Sequence, residues 1–448
     1  MIYLLPFALL LASSFTASAS PSASPSFPKD FYWGVSTAAH QVEGNNTNSD
    51  WYAWEKAGGS PDLSGNACDF YHRYDSDFQL AQNIHQNAFR LSVEWARIEP
   101  SQGEFSQQEI QHYRDVLKSA HAHGMKTFVT LHHFTNPLWM TSVGGWLHPR
   151  SHLMFRRFVD KVVQELGSEI DSWITINEPN VYVLTGYLVG VSPPGHKDIG
   201  SAIKAYANLA QAHAEAYESI HQVYPHAQVG FAHHMRVEQP AHQYNPAEAL
   251  LAHWVDRFWN WQFLDAIQSG TINFHFGPLY RVKRKFPKLK GALDFLGINY
   301  YTRDKIRLDF SSPTLFSLKP PPADKTVEFT GMEIYPKGLG TLLKQSAHYH
   351  WPIIITENGM ADAKDLRRPK FICDHLAQVL KAMDQGVDVR GYFHWSLIDN
   401  FEWSLGYPPK LGLYEVNLVT QERTLRPSGK LYGEIAKSGD LSACDALH

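Results

Sequence analysis

The chain has 448 residues, 44% hydrophobic and 19% charged, which is the composition of a folded globular protein and excludes a disordered one. Its formal net charge is −4 and it has no long basic block, so nucleic acid is excluded as the principal partner, because phosphate binding needs clustered Lys and Arg. The length exceeds an ordinary domain, but an α/β barrel with insertions reaches it without dividing.

The chain opens on "MIYLLPFALLLASSFTASASPSASPS", an apolar run followed by small residues that include "ASA" ending at Ala19. This reads as a secretory signal over residues 1–19 and a disordered spacer over 20–27, although no Lys or Arg precedes the apolar run. The run is too short to span a bilayer, and no later segment qualifies, so no membrane span is expected. Export, to the periplasm or the medium, is the expectation; without a working signal the chain would stay cytoplasmic. Asn45 heads the glycosylation triplet "NNT". Three cysteines, Cys68, Cys373 and Cys444, permit at most one internal disulfide and contain no C-x-x-C, so the fold is not expected to rest on a disulfide framework.

From Phe31 onward, short apolar runs alternate with helix-like segments. The runs are "FYWGVSTAA" (31–39), "AFRLSVEW" (88–95), "KTFVTLHHF" (126–134) and "SWITINEP" (172–179), then "AQVGFAHHM" (227–235), "DFLGINYYT" (294–302), "IIITENG" (353–359) and "VRGYFHWSLIDN" (389–400). Between them, "EIQHYRDVLKSAHAHG" and "HLMFRRFVDKVVQELG" keep apolar residues at i, i+3, i+4 and i+7 and close on Gly as a helix cap. Strand and helix in alternation through eight strands predict a closed (β/α)8 TIM barrel, a single α/β domain over 28–437 with a C-terminal tail over 438–448. An open doubly wound sheet would carry a Gly-rich phosphate turn after its first strand, and "STAAHQVEG" is not one. Residues 303–350 read as an extended loop between the sixth and seventh repeats. "RVKRKFPKLK", from Arg281, reads as a solvated helix or loop face.

In such a barrel the C-terminal strand ends converge on one mouth. This rule selects Arg90–Glu94, His132–His133, Asn177–Glu178, Asn299–Tyr301, Glu357 and Trp395. A buried carboxylate costs several kcal/mol unless it is paired. A structural ion pair accounts for one such Glu more readily than for two on the same mouth. Glu178 and Glu357 therefore predict the paired carboxylates of glycoside hydrolysis, one giving a proton to the leaving oxygen and the other attacking the anomeric carbon or activating water. The doublets at 132–133 and 233–234 point their imidazoles to opposite faces, and neither H-x-H nor H-E-x-x-H occurs, so no metal or other cofactor is assigned. G-x-S-x-G is absent as well. The 13% of aromatic residues is mostly core filling, with some rings available to cover the apolar face of a sugar.

"FYWGVSTAAHQVEG", "FRLSVEW", "TINEP", "GINYYT", "ITENG" and "WSLIDNFEWSLGY", in this order, resemble glycoside hydrolase family one, the β-glucosidase family, and the resemblance runs from about Phe27 to Gly433. The resemblance implies a retaining, two-step, exo-acting β-glycosidase that removes terminal β-D-glucosyl residues, or galactosyl or fucosyl ones, from small oligosaccharides or β-glycosides. It implies Glu178 as general acid/base and Glu357 as nucleophile, with carboxyls roughly 5 Å apart. Arg90, Asn177 and Tyr301 would support catalysis. Gln41, His133, Asn177, Trp395, Glu402 and Trp403 would hold the sugar, and a carboxylate at Glu402 would repel a 6-phosphate. Three positions depart from the family pattern: Phe134 replaces a Trp after His133, Leu411 a Phe, and Met332 a Trp. The first two bear on the glycone pocket and Met332 on the leaving group. A non-catalytic sugar- or protein-binding barrel and a transglycosylase are the competing expectations.

Overall fold

A computed structural model describes residues 26–276, 280–312 and 315–447; the signal segment and the spacer up to residue 25 lie outside the described residues. Eight parallel strands form a ring. Strand β1 (Tyr32–Ser36) pairs with β2 (Ala88–Ser92), and the ladder continues through β3 (Lys126–His132), β4 (Ser172–Asn177), β5 (Gln228–Pro240), β6 (Phe295–Leu308), β7 (Ile353–Asn358) and β8 (Val389–Trp395). β8 returns to β1, with Tyr32 opposite Gly391 and Ser36 opposite Trp395, so the ring is closed as expected.

Strands β2, β4 and β7 are buried along their whole length, as continuous apolar runs require when helices cover the outside and side chains fill the inside. Each strand sends one residue into a single interior layer: Tyr32, Ala88, Phe128, Ile174, Ala232, Phe295, Ile354 and Phe393. This plug is the floor of the mouth. Two residues further along the same face come Arg90 on β2 and Trp395 on β8. Between strands and helices lies a larger core. The helix Gln107–Ala122 buries Ile110, Tyr113, Val116, Leu117 and Ala120, and its N-cap Ser106 accepts from Glu109 N at 3.3 Å.

Several local expectations are corrected. Helix Ser151–Leu166 does not end on a left-handed glycine, because Gly167 has φ −60 and continues into a 3-10 turn. Glycine is required there because a Cβ would collide with the Tyr224 ring. Residues 303–350 are not one loop. β6 runs on to Leu308 beside the extended β5, Phe316–Leu318 adds an antiparallel strand, and Pro336–Ser346 is a helix that buries Leu339, Leu342 and Leu343. The basic run from Arg281 is neither helix nor loop at its start: Tyr280–Lys285 pairs antiparallel with Thr271–Phe276, with Val282 packed inward and Lys283, Arg284 and Lys285 exposed.

The domain edges also shift. Phe27, placed in the spacer, is 6% exposed and its ring packs 4.8 Å from both Phe31 and Trp33. The tail folds back as a 3-10 segment, Ser442–Leu447, and a Cys373–Cys444 disulfide ties it to helix Arg368–Met383. Cys68 is free and buried. No helix among the described residues is long and apolar enough to cross a membrane.

Candidate active site

At the C-terminal end of the ring a cavity of about 330 Å³ opens, lined by Gln41, His133, Asn177, Glu178, Tyr301, Glu357, Trp395, Glu402 and Trp403. Every catalytic or sugar-holding residue that the resemblance implied lines this cavity except Arg90, which is fully buried beneath it against Glu357. Glu94, His132 and Asn299, also selected by the strand-end rule, lie outside the lining. A larger cleft of about 1080 Å³ lies elsewhere, against Trp254, Arg257 and Asp265, and shares no residue with the first. Its one carboxylate is already paired with Arg257 at 2.8 Å, so this cleft holds no carboxylate pair.

Glu357 is held on both oxygens. Arg90 Nη1 ion-pairs with its Oε1, and the Tyr301 hydroxyl donates to Oε2 at 2.6 Å. Arg90 is fixed in turn by donating to Thr130 Oγ1 at 3.2 Å, the Thr356 carbonyl at 3.2 Å and Asn177 Oδ1 at 2.6 Å. A charge 4% exposed would be prohibitive alone, but here a guanidinium and a phenol compensate it. Burial and the nearby Glu357 and Glu178 charges push the Tyr301 phenol well up, so it keeps its proton and donates.

Glu178 sits in the opposite electrostatic situation. Among the described residues its carboxyl accepts one hydrogen bond, from Asn299 Nδ2 at 2.8 Å, and has no cation in contact. Burial, then the charge of Glu357, push its carboxyl up to about 8. Asn299 also donates to Asn177 Oδ1 at 3.1 Å and is oriented by Thr356 Oγ1 at 2.6 Å, so Glu178, Asn299, Asn177, Arg90 and Glu357 form one connected chain. Glu178 has a left-handed backbone, φ 44, and immediately precedes the helix Pro179–Val183 without a side-chain cap bond; Phe134 (φ 71) and Trp403 (φ 53) are strained at the same mouth. Such strain costs on the order of 1–3 kcal/mol per residue and clusters at functional sites.

The remaining wall suits a sugar ring. Gln41 donates to Asn400 Oδ1 at 3.0 Å and to the Phe401 carbonyl at 2.8 Å, while its own Oε1 has no partner among the described residues. Trp395 Nε1 donates to Glu402 Oε1 at 3.2 Å. Burial, with a smaller contribution from the Glu357 charge, pushes Glu402 up to about 8. His133 stacks between Trp395 and Trp403, 6.0 and 6.1 Å away, and lies 3.2 Å from Asn177 Nδ2. Burial and Arg90 hold its imidazole well below the usual histidine range. Gly359 lets the exit of β7 pass under Trp395, since a Cβ there would collide with the Trp395 carbonyl.

Three ring-bearing lining residues escaped sequence reasoning, as did the lining residues from the loops, such as Val191 and Leu405. Trp51 lies against Trp403 at 4.6 Å, Tyr182 stacks with Phe134 at 6.2 Å, and His234 stacks on Tyr301 at 6.1 Å. The His doublets carried the signal for His234. Each splits as the strand period requires, His133 and His234 facing the cavity while His132 bonds Asn136 and His233 bonds the Asn260 carbonyl. Phe134, Leu411 and Met332, the departures from the family pattern, all line the cavity.

A closed (β/α)8 barrel with two carboxylates of opposed environment at its mouth defines a glycoside hydrolase. The sequence model of Glycosyl hydrolase family 1 matches residues 23–441, and the chain belongs to that family. It is 31% identical to a β-galactosidase of Pyrococcus woesei, the match covering 93% of this chain and 98% of the relative. It is 30% identical to β-glucosidase A of Thermotoga maritima, again over 93% of this chain and 98% of the relative. Among solved structures, a β-glycosidase from Pyrococcus horikoshii superposes with a TM-score of 0.87 at 38% identity, covering 93% of this chain and 96% of the other.

Proposed function

We propose that Glu357 is the nucleophile and Glu178 the general acid/base of a retaining, exo-acting β-glycosidase that removes terminal β-D-glucosyl, galactosyl or fucosyl residues. The carrying observation is the asymmetry of the pair: Glu357 is bound by Arg90 and Tyr301, whereas Glu178 is pushed up to about 8 by burial and the Glu357 charge. In the first step a Glu357 oxygen bonds to the anomeric carbon, the bond to the leaving oxygen breaks, and the Glu178 proton goes to that oxygen. The glycosyl ester removes the charge that had raised Glu178. Glu178, now a carboxylate, takes a proton from water as the water oxygen bonds to the anomeric carbon and Glu357 leaves.

Gln41 Oε1, Glu402, His133 and Asn177 offer hydrogen bonds to one terminal sugar, with Trp395 beneath its ring. The relatives include both β-glucosidases and β-galactosidases, which supports the glucosyl and galactosyl choices. A panel of nitrophenyl glycosides tests the assignment. Glu178→Gln and Glu357→Gln each collapse turnover of the preferred β-glycoside, and wild-type rates in both overturn it.

The same reading includes export, supported by the leader-like residues 1–19, the exposed sequon at Asn45 and the Cys373–Cys444 disulfide, a bond favoured in oxidising compartments. The mass and N-terminal sequence of the mature protein test it.

A further inference from the structure

The cavity changes character from its floor to its rim. At the inner end Gln41, Asn177, Glu357, Trp395, His133 and Glu178 are 0–6% exposed. Among the described residues the only carboxylates lining the cavity are Glu178, Glu357 and Glu402, which all belong to the glycone site, and no Lys or Arg lines it. The rim is apolar. Val191 and Leu405 are 50% and 41% exposed, and half-buried Val181 and Met332 complete the wall.

Four hydroxyls occur at this rim; Thr330 Oγ1 accepts from Met332 N at 3.4 Å, and the hydrogens of the other three are committed to the protein. Thr185 Oγ1 donates to the Val181 carbonyl at 2.9 Å, Ser192 Oγ to Thr185 Oγ1 at 2.8 Å, and Ser404 Oγ to the Val191 carbonyl at 3.0 Å. The last bond also clasps the Val191 loop to the Leu405 loop. A second sugar seated here would bring a ring of hydroxyls to a wall of methyl and methylene groups, and each unpaired hydroxyl would be desolvated at a loss. An alkyl or aryl group would instead cover side chains that now face water.

We infer that the outer half of this cavity takes an apolar leaving group, alkyl or aryl, in preference to a second sugar. Val181, Val191, Met332 and Leu405 are the specificity-determining residues. The inference rests on the proposed β-glycosidase function and names the aglycone class for that site.

Three substrates separate the two. β-D-glucosyl fluoride reads the glycone half alone, n-octyl β-D-glucoside below its micellar concentration adds an apolar aglycone, and cellobiose adds a sugar. The expected kcat/KM for octyl glucoside exceeds that for cellobiose by about tenfold or more. In a Met332→Gln/Leu405→Gln variant the octyl-to-fluoride ratio falls at least about fivefold and the cellobiose-to-fluoride ratio rises. Turnover of the fluoride with cellobiose equal to or above octyl glucoside overturns this inference alone, as does an unchanged octyl-to-fluoride ratio in the variant. Failure to turn over any of the three, the fluoride included, overturns the glucosidase reading and the inference with it.

Discussion

Glu178→Gln separates proton donation from everything else the residue does. The substitution preserves shape, and the new amide oxygen still accepts from Asn299 Nδ2, as Glu178 Oε1 does at 2.8 Å, so the Asn299–Asn177–Arg90 chain stays in place. With Glu178 pushed up to about 8, at pH 6 only about 1% of the site is without its proton. Removing a general acid costs about 10²–10⁴-fold, or about 3–5.5 kcal/mol of barrier. That loss appears only where the leaving oxygen needs the proton. The assay compares an alkyl β-glucoside with a dinitrophenyl β-glucoside from pH 5 to 9. The alkyl substrate loses about 10²–10⁴-fold in kcat/KM, the glycosylation of the dinitrophenyl substrate changes by less than about tenfold, and the fall in activity above pH 8 disappears. Equal losses on both substrates refute the acid role. A persistent limb near 8 assigns it instead to Glu402, which is also pushed up to about 8.

Tyr301→Phe removes the donor 2.6 Å from Glu357 Oε2, a hydrogen bond to a charge worth about 1.5–3 kcal/mol, so kcat falls by about ten- to a hundredfold; a kcat within about twofold of wild type contradicts this. Cys444→Ser opens a link spanning 71 residues, which in the chain-entropy account removes about 4 kcal/mol and lowers Tm by about 5 °C, read by scanning calorimetry with and without reductant. For pH, burial pushes Glu43 and Asp50 up to about 7, so the folded state holds their protons longer than the unfolded chain does and stability is lost as pH rises towards 7. Buried histidines such as His132, His213 and His233, held down to about 4, act in the opposite sense only below about 6.5. Tm is therefore shallow in pH from about 5 to 6.5 and falls from there to about 8, and a Tm that rises over the upper interval contradicts the burial argument.

The barrel was legible because its strands are short, apolar and rich in β-branched residues, and because polar residues interrupt them at the same end. This is why Glu178 and Glu357 stood out before any geometry was known. The helix Pro336–Ser346 was hidden by Gly338 and Gly340, which weaken its local propensity. Gly338 is a tertiary requirement, since a Cβ there would collide with the Tyr300 hydroxyl, whereas one at Gly340 would meet only the flexible end of Gln378, 2.9 Å away. The strand Tyr280–Lys285 was masked by its charges, since only pairing with Thr271–Phe276 makes a basic run extended. Asn299 lay at a strand end the sequence had selected. Its contact with Glu178 depends on the β4–β5 and β5–β6 registers, where Asn177 faces Ala232 and His234 faces Asn299, and no local pattern carries that. Trp51 reaches the cavity from a helix between β1 and β2, outside the strand-end rule.

The central claim is that Glu357 forms a covalent bond to the sugar. Incubation with a dinitrophenyl 2-deoxy-2-fluoro-β-D-glucoside, followed by intact mass and peptide mapping, tests it most directly. The account predicts one fluoroglucosyl group per chain, on the peptide carrying "IIITENG" at Glu357 and absent from Glu357→Gln. A label on Glu178 or another residue, or turnover with no trapped adduct, would contradict it.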